Sequence, residues 1–185
     1  MSEVWQQIST AVIAEFSDAT DIAELTRLSV RLLMAALLGA ILGFEREQQG
    51  KAAGVRTHML VSVGSAIFVL IPLQIGVQPA ELTRVIQGMV TGVGFIGAGM
   101  ILKSEHESRV HGLTTAAGLW MTSAIGMTAG LGQETSALLC TVLALIVFAT
   151  VPRVLKLVDR ERHNEPVDGM DACSHAEADR RSVSR

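Results

Sequence analysis

The sequence predicts an all-α protein, a multi-pass bundle of five transmembrane helices with its N-terminus outside and its C-terminus in the cytoplasm. Its 185 residues are 49% hydrophobic and only 18% charged, whereas soluble domains carry about 25% charged residues. Uncharged stretches long enough to cross a bilayer separate the charges, and most Lys and Arg residues lie in alternate loops. Both patterns are typical of polytopic membrane proteins.

The spacing of the charges places each span. Uncharged stretches of 24, 18, 22 and 18 residues occupy positions 57–80, 85–102, 112–133 and 135–152, and a spanning helix needs about 20 residues. A fifth stretch, 32–44, has 13 uncharged residues and reaches spanning length when Arg31 is included. Five such stretches leave too little polar surface to cover a soluble core. The predicted helices run over about 28–44, 57–75, 85–102, 113–132 and 135–152.

The basic residues predict the orientation. Twelve of the fifteen Lys and Arg residues fall in the first loop, the third loop and the segment after Pro152. Positive loops face the cytoplasm, so an odd number of spans leaves the N-terminus outside, in agreement with the count of five. The chain then divides into an acidic amphipathic N-terminal segment (1–26), a membrane domain (27–152) and a short polar cytoplasmic tail (153–185).

Arg31 is the one charge inside a predicted span. A charge in the bilayer pairs with another group or extends its long side chain to the surface. The acidic residues on the same side include Glu81 and Glu134. We therefore expect either an ion pair between Arg31 and one of these carboxylates or an Arg31 side chain that reaches the headgroups.

Glycines recur at four-residue spacing within the spans. Small residues let helices approach closely in lipid, where apolar burial drives no association. The segment from Gly92 to Gly97 also matches the dinucleotide-binding pattern G-x-G-x-x-G, but it lacks the preceding strand and the later acidic residue that such a site needs. The predicted helix-packing positions are Gly39, Gly43, Gly88, Gly92, Gly118, Gly126 and Gly130.

Four motifs resemble the MgtC/SapB family of bacterial inner-membrane proteins. They are G-x-x-x-G-F-E-R-E at 39–47, A-G-V-R-T-H at 53–58, G-F-I-G-A-G-M-I at 94–101 and G-L-T-T-A-A-x-x-W at 112–120. The resemblance extends from about residue 31 to residue 151 and implies a multi-pass helical domain, here without the ACT-like C-terminal domain of other members. It implies a functional surface at Glu45, Arg46, Glu47, Arg56, Thr57, Gly97, Gly99, Thr114, Thr115 and Trp120.

The resemblance also implies a role in growth when magnesium is scarce and in survival inside host cells. The expected function is a non-enzymatic regulator of other inner-membrane proteins, with ATP synthase as one target. The alternative is a magnesium transporter or a transport-associated subunit, although no predicted span has an acidic residue in its interior to bind Mg²⁺. No catalytic pair and no metal-ligand spacing emerges. We therefore expect no cofactor, with Mg²⁺ left open as a ligand.

The expected partners follow from composition and resemblance. They are the lipid bilayer and either other inner-membrane proteins or a second copy of the chain. Nucleic acid is not expected as a partner, because the sequence has a pI of about 5.9 and no Tyr, and nucleic-acid binders present basic surfaces and aromatic stacking platforms.

Overall fold

The computed structural model describes residues 2–15, 22–103 and 110–163. They form six helices: α1 (Ser2–Glu15), α2 (Ile22–Gln48), α3 (Val55–Gln74), α4 (Pro79–Gly99), α5 (Leu113–Gly130) and α6 (Glu134–His163). Two short strands, β1 (Leu102–Lys103) and β2 (Val110–His111), pair antiparallel between α4 and α5. The helical class is therefore confirmed, and the strand pair was not foreseen. The end of the polar tail, 164–185, lies outside the described residues.

Two helices start earlier than the charge spacing predicts. α2 begins at Ile22 and continues to Gln48, because Glu24 and Arg27 favour a helix even where they end an apolar stretch. α4 begins at Pro79, whose fixed φ and missing N–H suit the first turn of a helix. Charge spacing marks the apolar part of a helix, and its hydrogen-bonded ends extend beyond that part.

Within the part of the chain that the structure describes, three helices are long and apolar enough to cross a membrane: Ile22–Gln48, Val55–Gln74 and the Glu134–Pro152 part of α6. α4 and α5 have 21 and 18 residues but are rich in Gly, Ser and Thr, which contribute little hydropathy. The chain is thus a helical membrane protein, while the count of five spans and the orientation of the termini stay predictions.

The structure divides within α6 into two compact units, Met1–Leu145 and Ile146–Arg185. In the first unit, α3 packs against α2, α4 and α5, and α5 also contacts α2 and α4. The buried residues of α2 recur at three- and four-residue intervals from Ala35 to Arg46, as one helix face does. α5 is buried on more of its circumference, so α3 and α5 form the centre of this unit. The second unit contains the rest of α6.

Gly112 closes the connection between α4 and α5. Its φ of 90° is left-handed, a region that side chains with a Cβ rarely adopt. A Cβ at this position would also collide with the carbonyl oxygen of Met100. The sequence therefore needs glycine immediately before α5.

Candidate functional site: the α2–α3 corner

The end of α2 and the start of α3 form what we call the α2–α3 corner, residues 45–58. Glycines bring the two helices together there. A Cβ on Gly43 would lie 2.6 Å from the Cα of Val55 and 2.9 Å from the carbonyl oxygen of Gly54, which is closer than real contacts allow. The first family-like motif thus places glycine where the α2 backbone touches the beginning of α3.

Arg46 is the buried charge of this corner, with 1% of its surface exposed. Its Nε donates to Glu45 Oε2 at 2.6 Å, and its Nη2 donates to Gln49 Oε1 at 3.0 Å. The Gln49 amide donates in turn to the other oxygen of Glu45, so the three side chains form a closed ring. Such charge-assisted bonds offset the cost of burying a guanidinium.

Glu47 has a different partner from Glu45. Its Oε2 accepts a hydrogen bond from the backbone N–H of Val55 at 2.9 Å, the first residue of α3. Gly54 precedes α3 and has no capping side chain, so Glu47 supplies the missing acceptor from the neighbouring helix, where a carboxylate also suits the helix dipole. A Cβ on Gly54 would lie 2.5 Å from Glu47 Oε2, so Gly54 makes room for this cap.

His58 continues the corner into the bundle. It is fully buried, and its Nδ1 lies 3.0 Å from the carbonyl oxygen of Gly54. Since a carbonyl can only accept, Nδ1 donates, which leaves Nε2 of the neutral ring as an acceptor. On α2, one turn before Gly43, Gly39 lies against the carbonyl of His58 and the Cβ of Ser62.

The other residues of the predicted functional surface are spread over the unit. Arg56 is exposed and Thr57 half-buried at the start of α3. Gly97 is buried, and a Cβ added to it would lie 3.5 Å from the side chain of Ala116 on α5. A Cβ added to Gly99 would have no neighbour within 4 Å. Thr115 is buried, whereas Thr114 and Trp120 are exposed on α5. The structure thus places Glu45, Arg46, Glu47, Arg56 and Thr57 in the α2–α3 corner, but not the rest of the set.

The glycines predicted to pack helices fall into two groups. Gly39 and Gly43 lie against α3, and on α5 Gly126 and Gly130 lie against the backbones of Ser62 and Ala66. Gly118 is buried in α5. Gly88 and Gly92 of α4 have no neighbour within 4 Å of an added Cβ. These two line an open groove of about 620 Å³ between α3 and α4.

Arg31 forms an ion pair with neither Glu81 nor Glu134 among the described residues, so the predicted pairing is wrong. Its Nη1 instead donates to the carbonyl oxygen of Gly130 at 3.3 Å, at the end of α5, and its guanidinium fills the space beside Gly132. The last carbonyls of a helix lack intrahelical partners and attract cations. Arg31 therefore caps α5, a partner that charge counting cannot find.

Sequence reasoning also missed a row of buried polar side chains that begins at His58. Ser62 and Ser65 follow on α3, and Ser65 Oγ lies 2.7 Å from Ser123 Oγ of α5. The sequence contains the pattern that could have predicted this row, because His58, Ser62 and Ser65 recur at four- and three-residue spacing within an apolar helix. Within residues 2–15, 22–103 and 110–163, no three His, Cys, Asp or Glu side chains group as a metal site.

Three apolar helices, a core closed by glycine contacts and a charged corner at one end define a small helical membrane protein. The sequence model of the MgtC family matches residues 32–157. The chain therefore belongs to the MgtC family, as the sequence motifs predict.

Curated relatives agree with this assignment. Protein SrpB of Synechococcus elongatus is 40% identical over 141 residues, which cover 70% of this chain and 78% of SrpB. The Escherichia coli protein named "Putative magnesium transporter YhiD" is 37% identical over 145 residues, covering 72% of this chain and 65% of YhiD. Protein MgtC of Salmonella typhimurium is 41% identical over 116 residues, covering 63% of this chain but 48% of MgtC. No solved structure matches the chain.

Proposed function

We propose that the chain is a non-enzymatic regulator in the bacterial inner membrane, which acts under magnesium limitation by docking onto a transmembrane helix of another membrane protein. The observation that carries this proposal is the groove between α3 and α4. Its lining is mostly apolar, and Gly64, Gly88 and Gly92 keep its floor open. A helix can pack closely against such a surface, since small residues favour association in lipid.

Charge selects the kind of helix that fits. Arg84 lines the groove and is exposed, so a partner helix with an acidic residue near that end is complementary. The proposed occupant is such a helix of a different membrane protein. A second copy of the chain, whose α4 carries Glu81 within one turn of Arg84, is the other outcome of the test.

The proposed topology has five spans, with α4 and α5 included. The basic first loop, third loop and tail then lie in the cytoplasm, and the α2–α3 corner faces the cytoplasm with them. The Gly, Ser and Thr residues of α4 and α5 lower hydropathy without introducing charge, so these helices are compatible with a bilayer once neighbours cover them.

The alternative is magnesium transport, and the name of YhiD favours it. Mg²⁺ binds through one or two carboxylates and retained waters. In the α2–α3 corner, Glu45 is engaged by Arg46 and Gln49, and Glu47 by the start of α3. Both carboxylates therefore have protein partners that a bound ion would have to displace, which makes transport the weaker proposal.

Filling the groove tests the docking proposal. We expect the double variant Gly88→Leu with Gly92→Leu to lose support of growth at low magnesium, because overpacking a contact by about 1–3 kcal/mol weakens binding about 5- to 150-fold. The control is Gly94→Leu, a single change of the same kind on the same helix, outside the groove lining and also without neighbours. Equal growth of both variants, at equal amounts of membrane protein, would contradict docking in the groove.

Liposomes decide between the two functions. The purified full chain, reconstituted with a magnesium-sensitive dye inside the vesicles, is expected to admit no more Mg²⁺ than empty vesicles. Circular dichroism confirms that the reconstituted protein is helical, and an ionophore confirms that the dye responds. Entry above that of empty vesicles would replace the regulator by a transporter.

A further inference from the structure

Three buried polar atoms have no hydrogen-bond partner within the described chain: His58 Nε2, Ser62 Oγ and Thr122 Oγ1. All three residues are 0% exposed. Buried polar atoms in folded proteins nearly always have a partner, and an unmet one is penalised by lost solvation. Three such atoms in one small unit call for a common explanation.

The three residues lie within about one helical turn of the interface between α2, α3 and α5. Gly39 of α2 contacts His58 and Ser62, and Gly126 of α5 contacts the backbone of Ser62. Gly130, one turn after Gly126, contacts Ala66, one turn after Ser62, so α3 and α5 run parallel in this register. Thr122 lies one turn before Gly126 and next to Ser123, which contacts Ser65, so these contacts place it beside the 58–65 stretch of α3. We call this place the three-helix junction.

The chemistry of the junction fits water. His58 Nε2 is an acceptor, because Nδ1 donates to Gly54, and each hydroxyl can donate and accept. A water molecule offers two donors and two acceptors, and buried waters make about three hydrogen bonds. The junction has no carboxylate among these side chains, whereas Mg²⁺ prefers carboxylate and other oxygen ligands. Further along α3, the hydroxyls of Ser65 and Ser123 hydrogen-bond to each other, so neither requires a bound water.

We propose that His58, Ser62 and Thr122 form an internal water-binding site that links α3 to α5 inside the membrane domain. The site is independent of whether the protein regulates a partner or moves an ion. It holds the ring of His58 from the side opposite Gly54, and so joins the α2–α3 corner to the centre of the bundle. A hydrated site here is enclosed by protein, as membrane proteins require of polar groups at depth.

Thermal unfolding of the purified full chain tests the site. Thr122→Val keeps the shape and removes the hydroxyl, so the loss of one water-mediated contact is expected to lower the melting temperature by about 2–4 °C. The control is Thr141→Val, since Thr141 is equally buried but bonds to the carbonyl of Ala137 in its own helix. An unchanged or raised melting temperature for Thr122→Val would mean that the hydroxyl has no partner, and the proposal would be wrong.

Two further measurements keep the proposal testable if Thr122→Val does not fold. In the wild-type protein, magnetisation transfer from water to the imidazole of His58 is expected, with His111, which is exposed, as the positive control. No transfer to His58 would overturn the site. A rise in melting temperature with added Mg²⁺, absent in Ser62→Ala, would also overturn it in favour of a cation site.

Discussion

Gly126→Leu is expected to remove most of the folded protein from the membrane. A Cβ at this position already collides with the carbonyl oxygen of Ser62, so α5 and α3 must separate to admit any side chain. Overpacking usually costs about 1–3 kcal/mol and more where backbone is the obstacle, because a helix backbone cannot rotate aside as a side chain can. The measurement is the amount of folded protein recovered after detergent extraction and size-exclusion chromatography.

The control for this prediction is Gly88→Leu. It makes the same substitution at a helix glycine that has open space instead of a neighbour, and it is expected to leave the yield of folded protein unchanged. Equal yields of the Gly126 and Gly88 variants would show that the contact between α5 and α3 does not stabilise the bundle.

Glu45→Gln is expected to destabilise the protein by about 1.5–3 kcal/mol, the range for a hydrogen bond to a charged group. The carboxylate accepts from both Arg46 and Gln49, and its charge offsets that of a guanidinium with 1% of its surface exposed. The measurement is the free energy of unfolding in mixed micelles. A growth defect of this variant at low magnesium therefore has to be compared with its amount of folded protein.

Glu47→Gln provides the comparison two residues away. Its amide oxygen can still accept from the N–H of Val55, so only the charge at the helix start is lost, worth about 0.3–1 kcal/mol. Equal destabilisation by the two changes, or none by Glu45→Gln, would contradict the role assigned to the buried ring. A growth defect in stable Glu47→Gln would instead point to the exposed carboxylate as a contact for a partner.

The sequence predicts those features of the fold that depend on neighbouring residues along the chain. Uncharged stretches located the helices, and glycine spacing located the contacts of Gly39, Gly43, Gly126 and Gly130, because the same residues that lack a side chain also permit close approach. The sequence does not predict which face of a helix meets a neighbouring helix, because that depends on how the helices align. Nothing local distinguishes Gly88, which faces a groove, from Gly126, which faces a backbone.

The candidate site follows the same division. The motif around Glu45, Arg46 and Glu47 could be selected from the sequence, and two residues two positions apart on a helix point in different directions. The partners could not be selected. Glu47 accepts from an N–H eight positions along the chain, and Arg31 donates to a carbonyl 99 positions along the chain. Both contacts depend on how the helices pack, which the local sequence does not reveal.

The composition of α5 has a consequence for how the protein is made. The glycines and hydroxyls that let this helix pack against α3 themselves contribute little to insertion into lipid, which is driven mainly by residues such as Leu, Ile, Phe and Val. During synthesis, α2 and α3 precede it and satisfy the length and hydropathy of a span on their own. On the proposed five-span topology we therefore expect α2 and α3 to insert first and α5 to insert against them.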